Sequence, residues 1–164
     1  MPCQSMTTIS IYKKGSPIFV NMILIHLVNA VSVDCPNLIN LAIQLGMNTA
    51  QPTIMSQLNT NCCTAQGIIC LNARVVQLDW NYLNPSLNGT INASLLPPLL
   101  TSIRISNNQL TGMIPQTWPS GLQVLSLNVN LLKGKIPSTW PTDLLVLNLG
   151  GNPSLICESP GPWP

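Results

Sequence analysis

The sequence is short of charge. Only 6% of its 164 residues are Asp, Glu, Lys or Arg, six basic against four acidic. A solvated disordered tail is thereby excluded, since such tails stay unfolded through high polarity and net charge. The cations are scattered, at Lys13, Lys14, Arg74, Arg104, Lys133 and Lys135. No basic stripe interleaved with aromatics exists, so the phosphate attraction that a nucleic-acid partner requires is missing. Histidine is nearly absent: His26 is the sole example. The acids are Asp34, Asp79, Asp143 and Glu158, spread along the chain. Proton-transfer catalysis needs titratable groups brought together, and no glycine-rich phosphate loop or serine elbow compensates. Neither an enzyme nor a cofactor is expected.

What the chain has instead is apolar residues (46%), 15 prolines and a surplus of Asn, Ser and Thr. Lys13 and Lys14 precede an apolar run, residues 18–28, interrupted at Asn21 and His26. A bilayer span takes about 20 apolar residues, so this run reads as a signal peptide over residues 1–30. Cleavage is expected after Ala30, with Ala30-Val31-Ser32 as a second candidate and a retained signal anchor as the alternative. Nothing after Ser32 is apolar enough to span a membrane. The mature chain is expected in an oxidising compartment, secreted or on the extracellular face of the cell surface.

A period of 22 runs through the second half. It relates Leu100, Leu122 and Leu144; Ile103, Leu125 and Leu147; Ile105, Leu127 and Leu149; and Asn108, Asn130 and Asn152. Gly112 recurs as Gly134, Ile114-Pro115 as Ile136-Pro137, and Trp118-Pro119 as Trp140-Pro141. A degenerate unit precedes these, with Leu78, Trp80, Leu87, Gly89 and Ile91; an insertion around Asn84-Pro85 lengthens its step to 25. Leu-x-x-Leu-x-Leu predicts a short strand with its apolar members inward and the x residues outward. Stacking such units aligns the strands into a parallel sheet. The recurrent Asn amides are suited to bond backbone groups that the turns bury, and the prolines fix an extended, helix-poor return. Trp118 and Trp140, one above the other on that return, read as filling of the outer core.

The unit L-x-x-L-x-L-x-x-N-x-L-x-G-x-I-P resembles the plant-type leucine-rich repeat, over about half of the chain. The resemblance implies an α/β-type repeat solenoid: a right-handed superhelix with a short parallel sheet on the concave face and an N-terminal disulfide cap. Residues 31–73 form the expected cap, 74–152 the repeats, and 153–164 a tail or truncated C-terminal cap. Within the cap, Pro36 to Leu45 reads as a helix with Leu38, Ile39, Ala42, Ile43 and Leu45 as its apolar positions. The run Asn61-Cys62-Cys63-Thr64-Ala65-Gln66-Gly67-Ile68-Ile69-Cys70 before Arg74-Val75 resembles the family's cap motif. Ala65 stands near the place of the motif's usual Trp. By family pattern Cys35 pairs with Cys62 and Cys63 with Cys70. A zinc site would need a further ligand at suitable spacing, so no metal is expected. Residues 152–157 resemble the start of a C-terminal cap whose second cysteine is missing. Either the chain is a truncated relative of something longer, or Cys157 is free or pairs between molecules.

The outward strand positions are the default binding surface of this architecture: Gln77, Asp79 and Asn81; Ser102, Arg104 and Ser106; Val124, Ser126 and Asn128; Val146, Asn148 and Gly150. They are read as solvent-facing. A face this polar and this poor in charge suits hydrogen bonding to a glycan or an extended peptide. The resemblance therefore implies a receptor-like recognition module for a protein, peptide or cell-wall glycan. The alternative is a free secreted inhibitor of a cell-wall-degrading hydrolase, as in polygalacturonase-inhibiting proteins, whose solenoids are longer. Asn88-Gly89-Thr90 and Asn92-Ala93-Ser94 are N-glycosylation sequons on the first outer return.

Overall fold

The alternation of apolar and polar residues in each repeat is realised as a stack of short parallel strands. The structure, a computed structural model, describes residues 32–47 and 51–156. The expected signal segment and Cys157 lie outside the described residues. Strands β2 (Arg74–Asp79), β3 (Ser102–Arg104), β4 (Val124–Ser126) and β6 (Val146–Asn148) pair in parallel. Their register joins Leu78, Ile103, Leu125 and Leu147 in one line, so the longer first step is absorbed by the loop around Asn84-Pro85. These residues and the neighbouring line of Trp80, Ile105, Leu127 and Leu149 are buried. Each fully buried Leu or Ile contributes about 1.5–3 kcal/mol, provided a neighbouring turn covers it. The fold is a leucine-rich-repeat solenoid of about four turns with a disulfide-bonded N-terminal cap.

The return side holds more order than the prolines imply. β5 (Lys133–Lys135) pairs in parallel with β7 (Ser154–Ile156), and single bridges join Thr90 to Thr111 and Met113 to Lys133. Successive returns are thus laced by their own ragged ladder. Trp118 and Trp140 are half-buried and pack against the core from this side.

Between strand and return, three buried asparagines close the turns. The Asn130 Nδ2 donates to the Ile105 carbonyl (2.9 Å) in the turn before it and to its own Leu127 carbonyl (3.1 Å). Its Oδ1 accepts from the Leu110 N–H at 3.0 Å. Asn152 repeats the pattern one turn on, with Leu127, Leu149 and Leu132 as partners. Asn108 does so one turn earlier, with Trp80, Ser106 and Leu87. Leaving one such buried group without its partner costs about 1–3 kcal/mol.

The cap has two helices where the sequence pattern indicates one. α1 (Cys35–Gln44) is the expected helix, shifted by one residue at each end. It buries Leu38, Leu41 and Ala42, whereas Ile43, expected inward, is 52% exposed. The helical period explains this: 38, 41, 42 and 45 lie on one stripe, and 43 falls to its side. α2 (Pro52–Asn61) begins at a proline, which suits a first helical turn because its missing N–H is not needed there. Disulfides join Cys35 to Cys62 and Cys63 to Cys70. β1 (Ile68–Leu71) then adds antiparallel to β2, making the sheet five-stranded.

Besides this backbone pairing, side chains tie cap to sheet at two places. In the first, the Arg74 Nε and Nη2 donate to both oxygens of buried Asp34 at 3.0 and 2.9 Å, and the Val75 N–H donates to Asp34 Oδ2 at 2.9 Å. Burial alone would push the Asp34 carboxyl up, but these hydrogen bonds and the guanidinium charge hold it below the ordinary carboxylate range. A carboxyl lowered on folding stabilises the native state above its unfolded pKa of about 3.9 and loses that contribution as pH falls through the native value. The Tm advantage of the native chain over Asp34→Asn is therefore expected in full at neutral pH and to shrink on acidification below about pH 4. Thermal melts across pH check this; an advantage that grows on acidification contradicts it.

The second contact is Trp80, whose indole is buried and whose Nε1 donates to the Gln66 carbonyl of the cap at 3.1 Å. The indole lies against Gly67, where an added Cβ would stand 2.9 Å from Trp80 Cδ1 and 2.0 Å from the Asp79 carbonyl oxygen. Trp80, the residue directly after β2, thus sets an indole against the cap.

Candidate functional site

The outward side of the sheet arranges its side chains in rows, because parallel register repeats every strand position one strand along. The first row runs Gln77, Ser102, Val124 and Val146; the second runs Asp79, Arg104, Ser126 and Asn148. Backbone bonds from Leu127 to Asn148 and from Val129 to Gly150 continue the ladder into a third row: Asn81, Ser106, Asn128 and Gly150. All of the residues read from the sequence as the strand face are thus brought together on one surface.

Their exposure departs from expectation at two positions. Ser102 and Ser106 are each only 4% exposed. Arg104 Nη1 donates to Ser102 Oγ at 2.7 Å, laying the longer side chain alongside the smaller one. Ser106 Oγ donates to Asn128 Oδ1 at 2.5 Å, and the Ser106 N–H donates to Asn81 Oδ1 at 2.6 Å. A serine flanked by longer side chains is covered even on an outward face. Gln77, Val124, Ser126, Asn128 and Asn148 are half-buried and Asp79 is exposed.

Charge is concentrated at one point. Asp79 and Arg104 are register partners on adjacent strands, yet neither forms an ion pair among the described residues. The Asp79 Oδ1 accepts from the Asn81 N–H at 3.3 Å. Asp143, in the loop before β6, belongs to a different turn from Asp79, so the two acids do not form a dyad. Among the described residues no cluster of His, Cys, Asp or Glu could hold a metal ion. The four cap cysteines are joined in the two disulfides.

Two parts of this surface were not read from the sequence. β1 pairs Ile69 with Gln77, and directly opposed residues share a face, so Ile69 extends the first row and is 54% exposed. Ile68 and Ile69 are alike in the sequence, so nothing there marks which of the two faces outward. At the far margin, the residue leaving each strand has left-handed backbone: Tyr82, Asn107, Val129 and Gly151, with φ of 52, 57, 54 and 71°. Side chains other than Gly, Asn and Asp enter this region at a cost of about 1–2 kcal/mol. Nothing in the sequence signals Tyr or Val for such a place.

The sequon asparagines lie away from these rows, on the first return. Asn88 is exposed and its backbone N–H bonds the Leu45 carbonyl at the end of α1. Asn92 is half-buried, its Oδ1 accepting from the Ser94 N–H and hydroxyl.

Against known proteins, residues 99–120 match the family model of the leucine-rich repeat. No curated protein sequence matches the chain. Among solved structures, the ectodomain of the Arabidopsis thaliana receptor kinase SOBIR1 is similar at 26% identity and a TM-score of 0.57, over 75% of this chain and 70% of that one. The ectodomain of the Arabidopsis receptor kinase GASSHO1/SCHENGEN3, solved with CASPARIAN STRIP INTEGRITY FACTOR 2, gives 27% and 0.53 over 65% of this chain. The present chain spans only 13% of that ectodomain. A chain of the Arabidopsis BIR3–SERK2 complex gives 27% and 0.50, with 62% of this chain and 58% of that one covered. The chain is thus similar to the leucine-rich-repeat ectodomains of plant receptor kinases.

Proposed function

We propose that the chain is a secreted or cell-surface recognition module, receptor-like, that binds a protein or peptide through the outward rows of its sheet and does no chemistry of its own. The observation that carries this reading is the side-by-side Asp79 and Arg104, each without an ion partner among the described residues, in the middle of an otherwise uncharged polar face. In a chain so poor in charge, two unpaired opposite charges on adjacent strands orient a ligand better than they stabilise a fold. Likeness to receptor ectodomains supports the same reading, one of them solved with CASPARIAN STRIP INTEGRITY FACTOR 2. The two cap disulfides support an oxidising, extracellular setting. Among the described residues no helix is long and apolar enough to cross a membrane.

The test is binding of the immobilised chain to panels of secreted proteins, peptides and cell-wall polysaccharides, repeated with Arg104→Ala plus Asn148→Ala. These two residues sit two strands apart in the same row. Affinity for a protein or peptide is expected to fall about tenfold or more, since each tenfold is 1.4 kcal/mol and a central Arg is a common anchor. Asn88→Gln and Asn92→Gln report sequon use by loss of glycan mass and are expected to leave binding unchanged. Binding that survives the Arg104 and Asn148 changes intact sinks the strand-face reading.

A further inference from the structure

We propose that Asn88 is a site of spontaneous deamidation, held off in the folded chain by the docked cap, and that its product loosens the cap from the first return. An N-linked glycan guards the site, because it occupies the same nitrogen that deamidation expels. The proposal does not depend on the strand-face reading above.

Asn88-Gly89 is the only Asn-Gly pair in the chain. Without a Cβ, glycine leaves its backbone nitrogen unshielded and its backbone free to turn, which favours ring closure. The Gly89 nitrogen, losing its proton, attacks Asn88 Cγ. The N–Cγ bond forms, the Cγ–Nδ2 bond breaks, and Nδ2 leaves as ammonia. Water then opens the cyclic imide at either carbonyl, giving aspartate or isoaspartate. Water is the sole co-reactant, and nothing is oxidised or reduced. A sugar on Nδ2 replaces ammonia by a bulkier glycosylamine as the leaving group and so opposes closure.

The fold both demands this glycine and restrains it. Gly89 passes so close to the end of α1 that an added Cβ would collide with the Gln44 carbonyl oxygen and stand 2.7 Å from the Leu45 carbonyl carbon. The reactive pair is therefore a consequence of cap docking. The Gly89 N–H donates to the Leu45 carbonyl at 3.0 Å. On either side, the Asn88 N–H reaches the same oxygen at 3.1 Å and the Thr90 N–H the Gln44 carbonyl at 3.3 Å. An imide nitrogen carries no hydrogen, so closure abolishes the bond from Gly89 to Leu45. It also draws the Asn88 carboxamide from its seat over Gly46. Deamidation thus waits on local opening of the cap from the return.

The product keeps the cap from settling again. A carboxylate at 88 stands at the C-terminal end of α1, where the last carbonyls carry the negative end of the helix dipole, and no basic residue in that last turn offsets it. Isoaspartate goes further. It inserts a methylene into the backbone between residues 88 and 89, which breaks the spacing of the N–H groups that serve Gln44 and Leu45. Because ammonia is lost, the change runs one way.

The experiment follows mass and isoaspartate content at Asn88, by peptide mapping, while the full chain is incubated in mildly alkaline buffer. Thr90→Ala, secreted from a plant host, removes the sequon and keeps the Asn-Gly pair. In this variant deamidation at Asn88 is expected to run about tenfold or more slower in buffer than in unfolding urea. Equal rates overturn protection by the cap. The native chain from the same host is expected to carry a glycan at Asn88 and to resist deamidation there in both solutions. A bare Asn88, or a glycosylated one that deamidates as fast as Thr90→Ala, overturns the guard. Asn88→Asp is compared with Thr90→Ala, which also lacks this glycan. It is expected to lower Tm by about 2–4 °C and to speed amide exchange at residues 88–90. Unchanged Tm and exchange overturn the loosening of the cap.

Discussion

Trp80→Ala is expected to destabilise the protein by about 3–5 kcal/mol, the range for truncating a buried Trp. In a domain of this size that lowers Tm by on the order of 10 °C. Two terms combine. The indole is fully buried in the inward line with Ile105 and Leu127, so its removal leaves a cavity rather than a solvated dent. It also leaves the Gln66 carbonyl without its donor. The cavity cannot easily collapse, because Gly67 already lies against the indole and the Asp79 N–H bonds the Gly67 carbonyl at 2.7 Å. Trp80→Phe separates the terms: it keeps most of the volume, loses the hydrogen bond, and should cost only about 1–2 kcal/mol. Thermal and urea melts measure both. A loss below about 1 kcal/mol for Trp80→Ala would mean that the indole does not hold cap to sheet.

Replacing both Cys35 and Cys62 by Ala is expected to cost about 3–4 kcal/mol, from the loop entropy released when a bridge spanning 27 residues is opened. The bridge between Cys63 and Cys70 closes a loop of only 7 residues, so the matching double replacement should cost about 1 kcal/mol less. Burial points the same way. Cys35 and Cys62 are buried between the start of α1 and the end of α2, whereas Cys63 and Cys70 are half-buried. The two double variants, compared in urea, test the order; equal losses or the reverse order would place the cap's stability in its packing rather than in chain closure.

The repeating part of this fold was legible because a solenoid imposes the same requirement at fixed intervals. Leu125 and Leu147 must be apolar for the same reason as Ile103, and Asn130 must be Asn for the same reason as Asn108. Non-repeating contacts were not legible. Asp34 and Arg74 meet across 40 residues, and Trp80 meets Gln66 only because β1 folds back on β2. α2 escaped notice because it buries only Ile54 and Leu58, too few apolar points for a helical stripe to stand out. On the candidate surface, position could be read from the period but exposure could not. Whether Ser106 is covered depends on Asn128, a residue of the next turn. The left-handed backbone at Tyr82 and Val129 runs against the residue types found there, so no local rule points to it.

The asparagine ladder also shifts where the protein can be divided. Asn130 belongs in sequence to the turn of Leu122, Leu125 and Leu127, but two of its bonds serve Ile105 and Leu110 of the turn before. Asn152 serves Leu127 and Leu132 in the same backward sense. The cooperative unit is thus staggered against the written repeat: it closes at the next unit's asparagine, not at its own last residue. A fragment cut at the sequence boundary after Gly121 would leave the Leu110 N–H and the Ile105 carbonyl without these partners. A cut just beyond Asn130 keeps both, so fragments, fusions and grafts of this stack have their natural seams after each asparagine.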